Sequence, residues 1–259
     1  MSSKTQRAEF FLNVLRNQGV PIDASTKVLD LGCGAGKLVQ AGRERGFDFY
    51  GCGIGLRDAH NNADPTLVSQ GVLRDIDLNP YHIPFDDCTF DVVISDYVME
   101  HVMDYPTTLR ETHRVMKPGA AFLHIFPPRA MPVEPHVHVP LGTMLRQRWW
   151  LKTWALVGIR NEFQQKLSAQ EACEANYKYL NGHTNYLSKR ELREQFGRYY
   201  TDVRFVEDAF LKNSPRGKKI YPLTKVMPFI PDLYGTFMTR AAFGRRPEPA
   251  STQAATSYP

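Results

Sequence analysis

Several absences narrow this sequence before any motif is considered. No apolar run reaches the roughly 18 residues that a membrane span needs without meeting charges or prolines. Residues 1–19 hold no apolar core followed by a small-residue cleavage site, so no secretory leader is read and a cytoplasmic location is expected. Cysteine is sparse: Cys33, Cys52, Cys88 and Cys173 are scattered, with neither a CxxC pair nor a zinc spacing. That excludes a disulfide framework and points to a reduced chain. There is no block of five or more basic residues, so the net charge of +5 makes only a weak case for nucleic acid. No internal repeat is visible.

What is present fits an ordinary globular protein. The chain is 42% hydrophobic and 23% charged over 259 residues, enough for one large domain with a substantial insertion. Phe10, Phe11, Val14 and Leu15 share one face of an opening helix that Gly19 and Pro21 close. Lys27 to Leu31 reads as a short apolar strand, followed at once by Gly32-Cys33-Gly34-Ala35-Gly36 and a helix running to about Gly46. Further strands are read at Phe47–Cys52, around Val72-Leu73, at Phe90–Ser95 and at Ala121–Phe126. A helix from about Pro106 to Met116 has proline near its first position and is closed by Lys117-Pro118-Gly119. Strand, glycine turn, helix and strand in alternation predict an α/β fold with a doubly wound, mostly parallel sheet.

After Pro127-Pro128 the pattern changes. Residues 127–198 read as an inserted helical, aromatic cap following the fifth strand. Trp149, Trp150 and Trp154 lie among Arg146, Arg148 and Lys152, which fits a lid over an acceptor pocket or a basic amphipathic helix on a membrane surface. Ser188 and Glu191 form a capping box for a short helix ending at Gly197. Residues 199–244 return to the core, with strands at Thr201–Val206 and Phe237–Phe243 around a proline-broken apolar stretch from Ile220 to Leu233. That stretch keeps a lipid-linked acceptor and peripheral membrane contact in play. Residues 245–259 read as a disordered tail.

Glycines 32, 34 and 36 follow a strand and open a helix, the context of a nucleotide or nucleoside site. A dinucleotide-dependent dehydrogenase is an alternative for such a turn. The spacing, however, is GxGxG and Asp30 precedes it, which suits an amino-acid moiety better than a pyrophosphate.

Val28-Leu29-Asp30-Leu31-Gly32-Cys33-Gly34-Ala35-Gly36 resembles the first motif of the class I methyltransferases. Residues Ile83 to Val93, then Glu100-His101-Val102 continuing to Glu111 through Gly119, resemble the branch containing the ubiquinone and sterol methyltransferases. These segments cover about residues 26–126. The resemblance implies a seven-stranded Rossmann-like methyltransferase fold and S-adenosylmethionine as cofactor, released as S-adenosylhomocysteine. It implies that residues 1–126 are the cofactor-binding core. Asp30, Gly32, Gly34 and Gly36 would surround the methionine part. Asp75 or Asp77, flanking Ile76, would meet the adenine amino group, while Asp96 and Tyr97 would flank the sulfonium and the acceptor.

One departure stands out. The family places an acidic residue at the end of the second strand to bind the ribose hydroxyls, and here that place is Gly53, followed by Ile54. Either another residue such as Asp58 holds the ribose, or the cofactor binds weakly, or activity has been lost and the chain is a binding scaffold.

Methyl transfer needs alignment and, for a hydroxyl acceptor, a group that takes the proton. His101, beside Glu100, is one candidate; His136 and His138 are the others, facing one side if residues 133–140 are extended. Each could instead pack or cap locally. A metal held by Glu134, His136 and His138 is conceivable, but the chemistry does not require one and none is expected. Nucleic-acid amino methyltransferases carry Asn/Asp-Pro-Pro-Tyr after the fourth strand, whereas this chain has Asp96-Tyr97-Val98-Met99, so a nucleic-acid acceptor is disfavoured. The expected reaction is O-methylation of a small molecule, sugar or lipid-linked glycan, with N- or C-methylation as the alternative.

Overall fold

The computed structural model describes residues 3–58 and 62–249 of the chain. Its strands are β1 (Lys27–Leu31), β2 (Asp48–Gly53), β3 (Leu73–Asp75), β4 (Asp77–Leu78), β5 (Tyr81–His82), β6 (Phe90–Asp96), β7 (Met116–Phe126), β8 (Thr201–Phe205) and β9 (Arg240–Arg245). Seven of them form one sheet in the order β3-β2-β1-β6-β7-β9-β8, and β4 with β5 makes a separate small hairpin. Neighbours from β3 to β7 are parallel, while β9 runs antiparallel to both β7 and β8. The doubly wound, mostly parallel seven-stranded architecture read from the sequence is therefore present.

Strand β1 shows why these residues form a central strand. Val28, Leu29, Asp30 and Leu31 are all buried, as expected for a parallel strand covered on both faces. Alternate side chains divide between two cores. Val28, Phe49, Val92 and Ile94 pack with Phe11 and Leu15 of α1 (Ser3–Asn17) on one face. Leu29, Leu31, Val93 and Phe122 pack on the other with Leu109 of the helix that precedes β7. Helix α2 (Lys37–Arg43) follows the glycine turn, and α3 (Pro65–Ser69) precedes β3. Helix α4 (Tyr105–Val115) has Pro106 in its first turn, as its sequence predicts, and is capped by Asp104, which accepts from the Thr107 N–H.

Some boundaries differ from the sequence reading. Lys117-Pro118-Gly119 does not close a helix; α4 ends at Val115 and the three residues lie inside β7. The register between β6 and β7 shifts there, from Phe90 opposite Met116 to Val92 opposite Ala121, and this irregularity absorbs the extra residues. The last strand begins at Arg240 rather than Phe237, because residues 230–237 are helical.

The insertion is built on α5 (Arg148–Leu156) and α6 (Ala169–Gly182). Val137, Val139, Leu151, Cys173 and Leu180 form its own small core, against which Trp150 and Trp154 pack. Trp150 donates from its indole nitrogen to the Pro140 carbonyl at 2.7 Å. Trp150 and Trp154 thus pack on this small core, while Trp149 is exposed. Helix α7 (Lys189–Gly197), included in the insertion by sequence pattern, opens with the expected Ser188–Glu191 capping box but packs Leu192 and Phe196 onto the sheet. Helices α8 (Glu207–Asn213), α9 (Gly217–Thr224) and α10 (Ile230–Phe237) lie between β8 and β9, and the apolar stretch from 220 to 233 falls in α9, α10 and their link. Among the described residues no helix is long and apolar enough to cross a membrane. The expected tail beyond residue 249 lies outside the described residues.

Candidate active site

The chain runs from β1 outward through β2 and β3, then crosses back to β6 on the other side of β1. The carboxyl ends of β1 and β6 therefore flank a topological switch point, where open α/β sheets bind ligands. Gly32 leaves β1 with φ +78°, and a Cβ there would lie 2.4 Å from the Val98 side chain, so the turn tolerates no larger residue. Gly34, also at positive φ, faces open space on its Cβ side. The turn is anchored by the N–H groups of Gly32 and Cys33, both donating to the Cys52 carbonyl of β2.

A cleft of about 390 Å³ opens beside this turn and is lined by Gly32, Gly53, Ile54, Ile76 and His101, among others. Leu78 and Tyr81 of the small hairpin also line it, a wall that the sequence reading missed because two-residue strands leave no periodic signal. Of the adenine candidates, Asp75 accepts from the Leu56 N–H at 2.7 Å, while Asp77 is exposed on the hairpin. Ile76 lies between them in the cleft wall. Asp58 does not reach the cleft. Its carboxylate folds over Gly55, and it lines a separate depression with Pro65 and Val68. The carboxylate that does line the cleft is Asp104, one oxygen of which caps α4.

Asp30, in β1, is buried, and burial, with the nearby Asp96 carboxylate adding to it, pushes its carboxyl well above the usual range. Asp96, at the end of β6, is gripped by Arg7 of α1: Nε donates to Oδ2 at 2.7 Å and Nη2 to Oδ1. Nothing in the sequence linked Arg7 to this site. Tyr97 takes a left-handed backbone (φ +57°), and its side chain is largely exposed.

Beside the cleft lie a short 3-10 turn, Met99–His101, and the loop after β7. His101 and His136 meet edge to face with ring centroids 4.9 Å apart. His101 donates from Nδ1 to the His183 carbonyl at 2.8 Å. His136 donates from Nδ1 to Glu134 Oε1 at 2.7 Å. Both rings are thus fixed with Nε2 as the unprotonated nitrogen of the neutral form. Glu134 is fully buried and also accepts from Tyr186 Oη and from the N–H groups of His136 and Val137. Burial is the largest influence on each and opposes charge on both members of that pair, but their hydrogen bond, together with the surrounding donors and charges, outweighs it. The Glu134 carboxyl lies below its ordinary value and the His136 imidazole above its own. Burial lowers His101, and it raises the Glu100 carboxyl to about 7.

His138 does not join the pair. Residues 134–138 form a turn, with the His138 N–H donating to the Glu134 carbonyl and His138 itself at φ +61°, exposed. The extended geometry expected for 133–140 survives only as a bridge between Val133 and Pro140. The grouping of Glu134, His136 and His138 considered from sequence is accordingly not formed. The residues whose ligand atoms converge are Glu100, His101 and His136. His136 also lines a second cavity, about 520 Å³, walled by the cap residues Asn161, Phe163 and Tyr179. The cap is tied to this end by Asn185, which donates from its backbone to Glu100 and from its side chain to Val102.

Comparison with known proteins bears on this arrangement. The family model described as a methyltransferase domain matches residues 4–199. The 2-phytyl-1,4-naphtoquinone methyltransferase of Nostoc punctiforme is 33% identical over 97 residues, covering 36% of this chain and 42% of that protein. The mitochondrial arginine-hydroxylase NDUFAF5 of Homo sapiens is 31% identical over 96 residues, covering 37% and 27%. Among solved structures, phosphoethanolamine N-methyltransferase 2 of Haemonchus contortus in complex with S-adenosyl-L-methionine aligns with TM-score 0.50 at 14% identity. That alignment covers 93% of this chain and 52% of the other, and it supports the fold. The chain spans less than half the length of either sequence relative.

Proposed function

The chain belongs to the methyltransferase-domain family, and on that premise we propose that it transfers the methyl group of S-adenosylmethionine to a hydroxyl oxygen of a small acceptor. The observation that carries this reading is the position of His101. It lines the cofactor cleft and touches His136, which lines the cap cavity, so the two spaces meet at a pair of imidazoles. The cofactor's methionine end would lie at Gly32, Gly34 and Gly36 above Asp30, with its adenosine toward Ile54, Asp75 and Ile76. The acceptor would enter from the cap side.

In the reaction the acceptor oxygen attacks the sulfonium methyl carbon in line. The carbon–sulfur bond breaks, S-adenosylhomocysteine leaves, and the hydroxyl proton passes to Nε2 of His101 or His136. His136 is the better fitted of the two to hold that proton, because Glu134 stabilises its imidazolium. His138 lines the same cap cavity as His136 but lies outside the imidazole pair.

A quinol ring is the acceptor class favoured by the name of the Nostoc relative. Sugar and lipid-linked hydroxyls would be handled by the same chemistry. A lipid-bearing acceptor would also give the exposed Val226, Phe229 and Phe237 something to cover them. The glycine at position 53 favours a second reading, a binding protein that no longer methylates.

Calorimetric titration with S-adenosylmethionine and S-adenosylhomocysteine, followed by transfer of labelled methyl to a reduced naphthoquinone and to simple sugars, tests both. Micromolar binding and label on oxygen are expected. Label on carbon or nitrogen overturns the oxygen assignment alone. Failure of a folded sample to bind either nucleoside overturns the enzyme reading in favour of the scaffold.

A further inference from the structure

We propose that Glu100, His101 and His136 hold a divalent transition-metal ion. Their ligand atoms come from two separate segments, the turn after β6 and the loop after β7, and lie within 4.8 Å of one another. Bound zinc sits about 2.0–2.1 Å from such nitrogen and oxygen atoms, so small side-chain rotations would close the set around one ion.

Glu100 points independently to a cation. It is 1% exposed, and neither carboxylate oxygen has a hydrogen-bond partner. An ionised carboxylate buried without compensation costs several kcal/mol, and buried charges are ordinarily paired or coordinate metals.

The imidazoles are also prepared as ligands. Each spends Nδ1–H on a fixed acceptor, His101 on the His183 carbonyl and His136 on the Glu134 carboxylate, so each presents the Nε2 lone pair. Metal-binding histidines are held in this way, and the partner carboxylate both orients the ring and raises its basicity. Glu134 is in turn locked by Tyr186 and two backbone N–H groups. Two imidazoles and one carboxylate favour zinc, manganese or iron over magnesium and calcium, which prefer oxygen ligands throughout.

Three protein ligands leave a position for water or for the acceptor. The ion's role, though not its binding, rests on the methyl-transfer reading of this site. With the ion in place the imidazoles are ligands rather than bases. The ion then lowers the pKa of the acceptor hydroxyl, whose proton leaves to solvent.

The test uses tag-free, chelator-treated full-length protein titrated calorimetrically with Zn²⁺, Mn²⁺ and Mg²⁺ in the absence of nucleoside, with the visible spectrum of the Co²⁺ form as a second readout. One Zn²⁺ or Mn²⁺ per chain at micromolar affinity or tighter is expected, with Mg²⁺ much weaker. Glu100→Gln and His136→Asn should each weaken binding at least about a hundredfold. Glu134→Gln, which removes only the orienting partner, should weaken it about 10- to 100-fold. Should His136→Asn fail to fold, His101→Asn takes its place. Absence of stoichiometric binding to folded wild-type protein overturns the proposal, as does binding that survives both Glu100→Gln and the histidine variant. A parallel titration with S-adenosylmethionine separates the two readings. Lost metal with retained nucleoside leaves methyl transfer standing, and the reverse leaves the metal site standing.

Discussion

Arg7 of the first helix and Asp96 at the end of β6, 89 residues apart in sequence, are joined by two hydrogen bonds, from Nε and Nη2 of the guanidinium. The Arg7 guanidinium also lies 4.7 Å from the Phe10 ring centroid, which fixes its approach. The fork supplies the positive charge beside Asp96, whose carboxylate in turn acts on the buried Asp30.

Arg7→Ala should therefore weaken S-adenosylmethionine binding about tenfold, roughly 1.4 kcal/mol, by releasing Asp96 from its orientation. Stability should fall by only about 1 kcal/mol, because the pair is partly solvated. Arg7→Lys keeps the charge but not the fork and should fall between. Calorimetry and thermal unfolding measure both effects; an unchanged Kd would remove Asp96 from the cofactor's contacts.

Restoring the absent carboxylate is the second prediction. A Cβ on Gly53 would meet the tip of Leu56 at 3.0 Å, a flexible neighbour, with the nearest backbone atom at 3.8 Å. Gly53→Asp should fold normally and tighten S-adenosylmethionine binding by up to about tenfold, the worth of one charged hydrogen bond. Equal affinity would mean that the ribose is already held elsewhere, and Asp104→Asn would then be the variant to titrate.

The third concerns pH. His124 is fully buried, 2.8 Å from Ser95 Oγ and stacked on Phe122, and burial drives its pKa from 6.5 to about 3. The folded value is the lower one, so its contribution to stability is complete above about pH 6.5 and is lost as pH falls toward 3, where the unfolded chain alone takes the proton. At pH 5 the loss should be roughly 2 kcal/mol. His124→Phe keeps the stacking and should show a smaller drop in stability between pH 7.5 and 5, read from urea unfolding at each pH. An identical drop in both proteins would refute the assignment.

The fourth tests a buried ion pair. Glu207 and Arg240 are 3% and 4% exposed and meet at 2.8 Å beneath α10. Glu207→Ala leaves a buried guanidinium without its partner and should cost about 3–5 kcal/mol. Replacing both, as Glu207→Leu with Arg240→Met, should recover most of that loss. Denaturant midpoints of the two variants decide it, and equal loss in both would mean that packing rather than charge holds this corner.

Much of the core was legible because its determinants are local. Val28 to Gly36 places a strand, a left-handed turn and a helix start within nine residues, and each is dictated by side-chain volume, burial or glycine's backbone freedom. The Ser188 cap is equally short-range and appears where its sequence puts it. Boundaries failed where pairing overrode local punctuation: Pro118 and Gly119 sit inside β7 because β6 shifts register to accept them.

The histidine cluster was another matter. Sequence alone determined that this chain has a cofactor-type glycine turn at the end of its first strand and histidines at 101, 136 and 138. Only the tertiary structure decided which histidines meet. His101 is set by a carbonyl 82 residues away, and Glu134 by a tyrosine 52 residues away. Burying Glu134 draws its loop into a turn, which brings His136 against His101 and swings His138 into solvent. Local periodicity cannot encode that choice, because it is made by one carboxylate finding its hydrogen-bond donors across the fold.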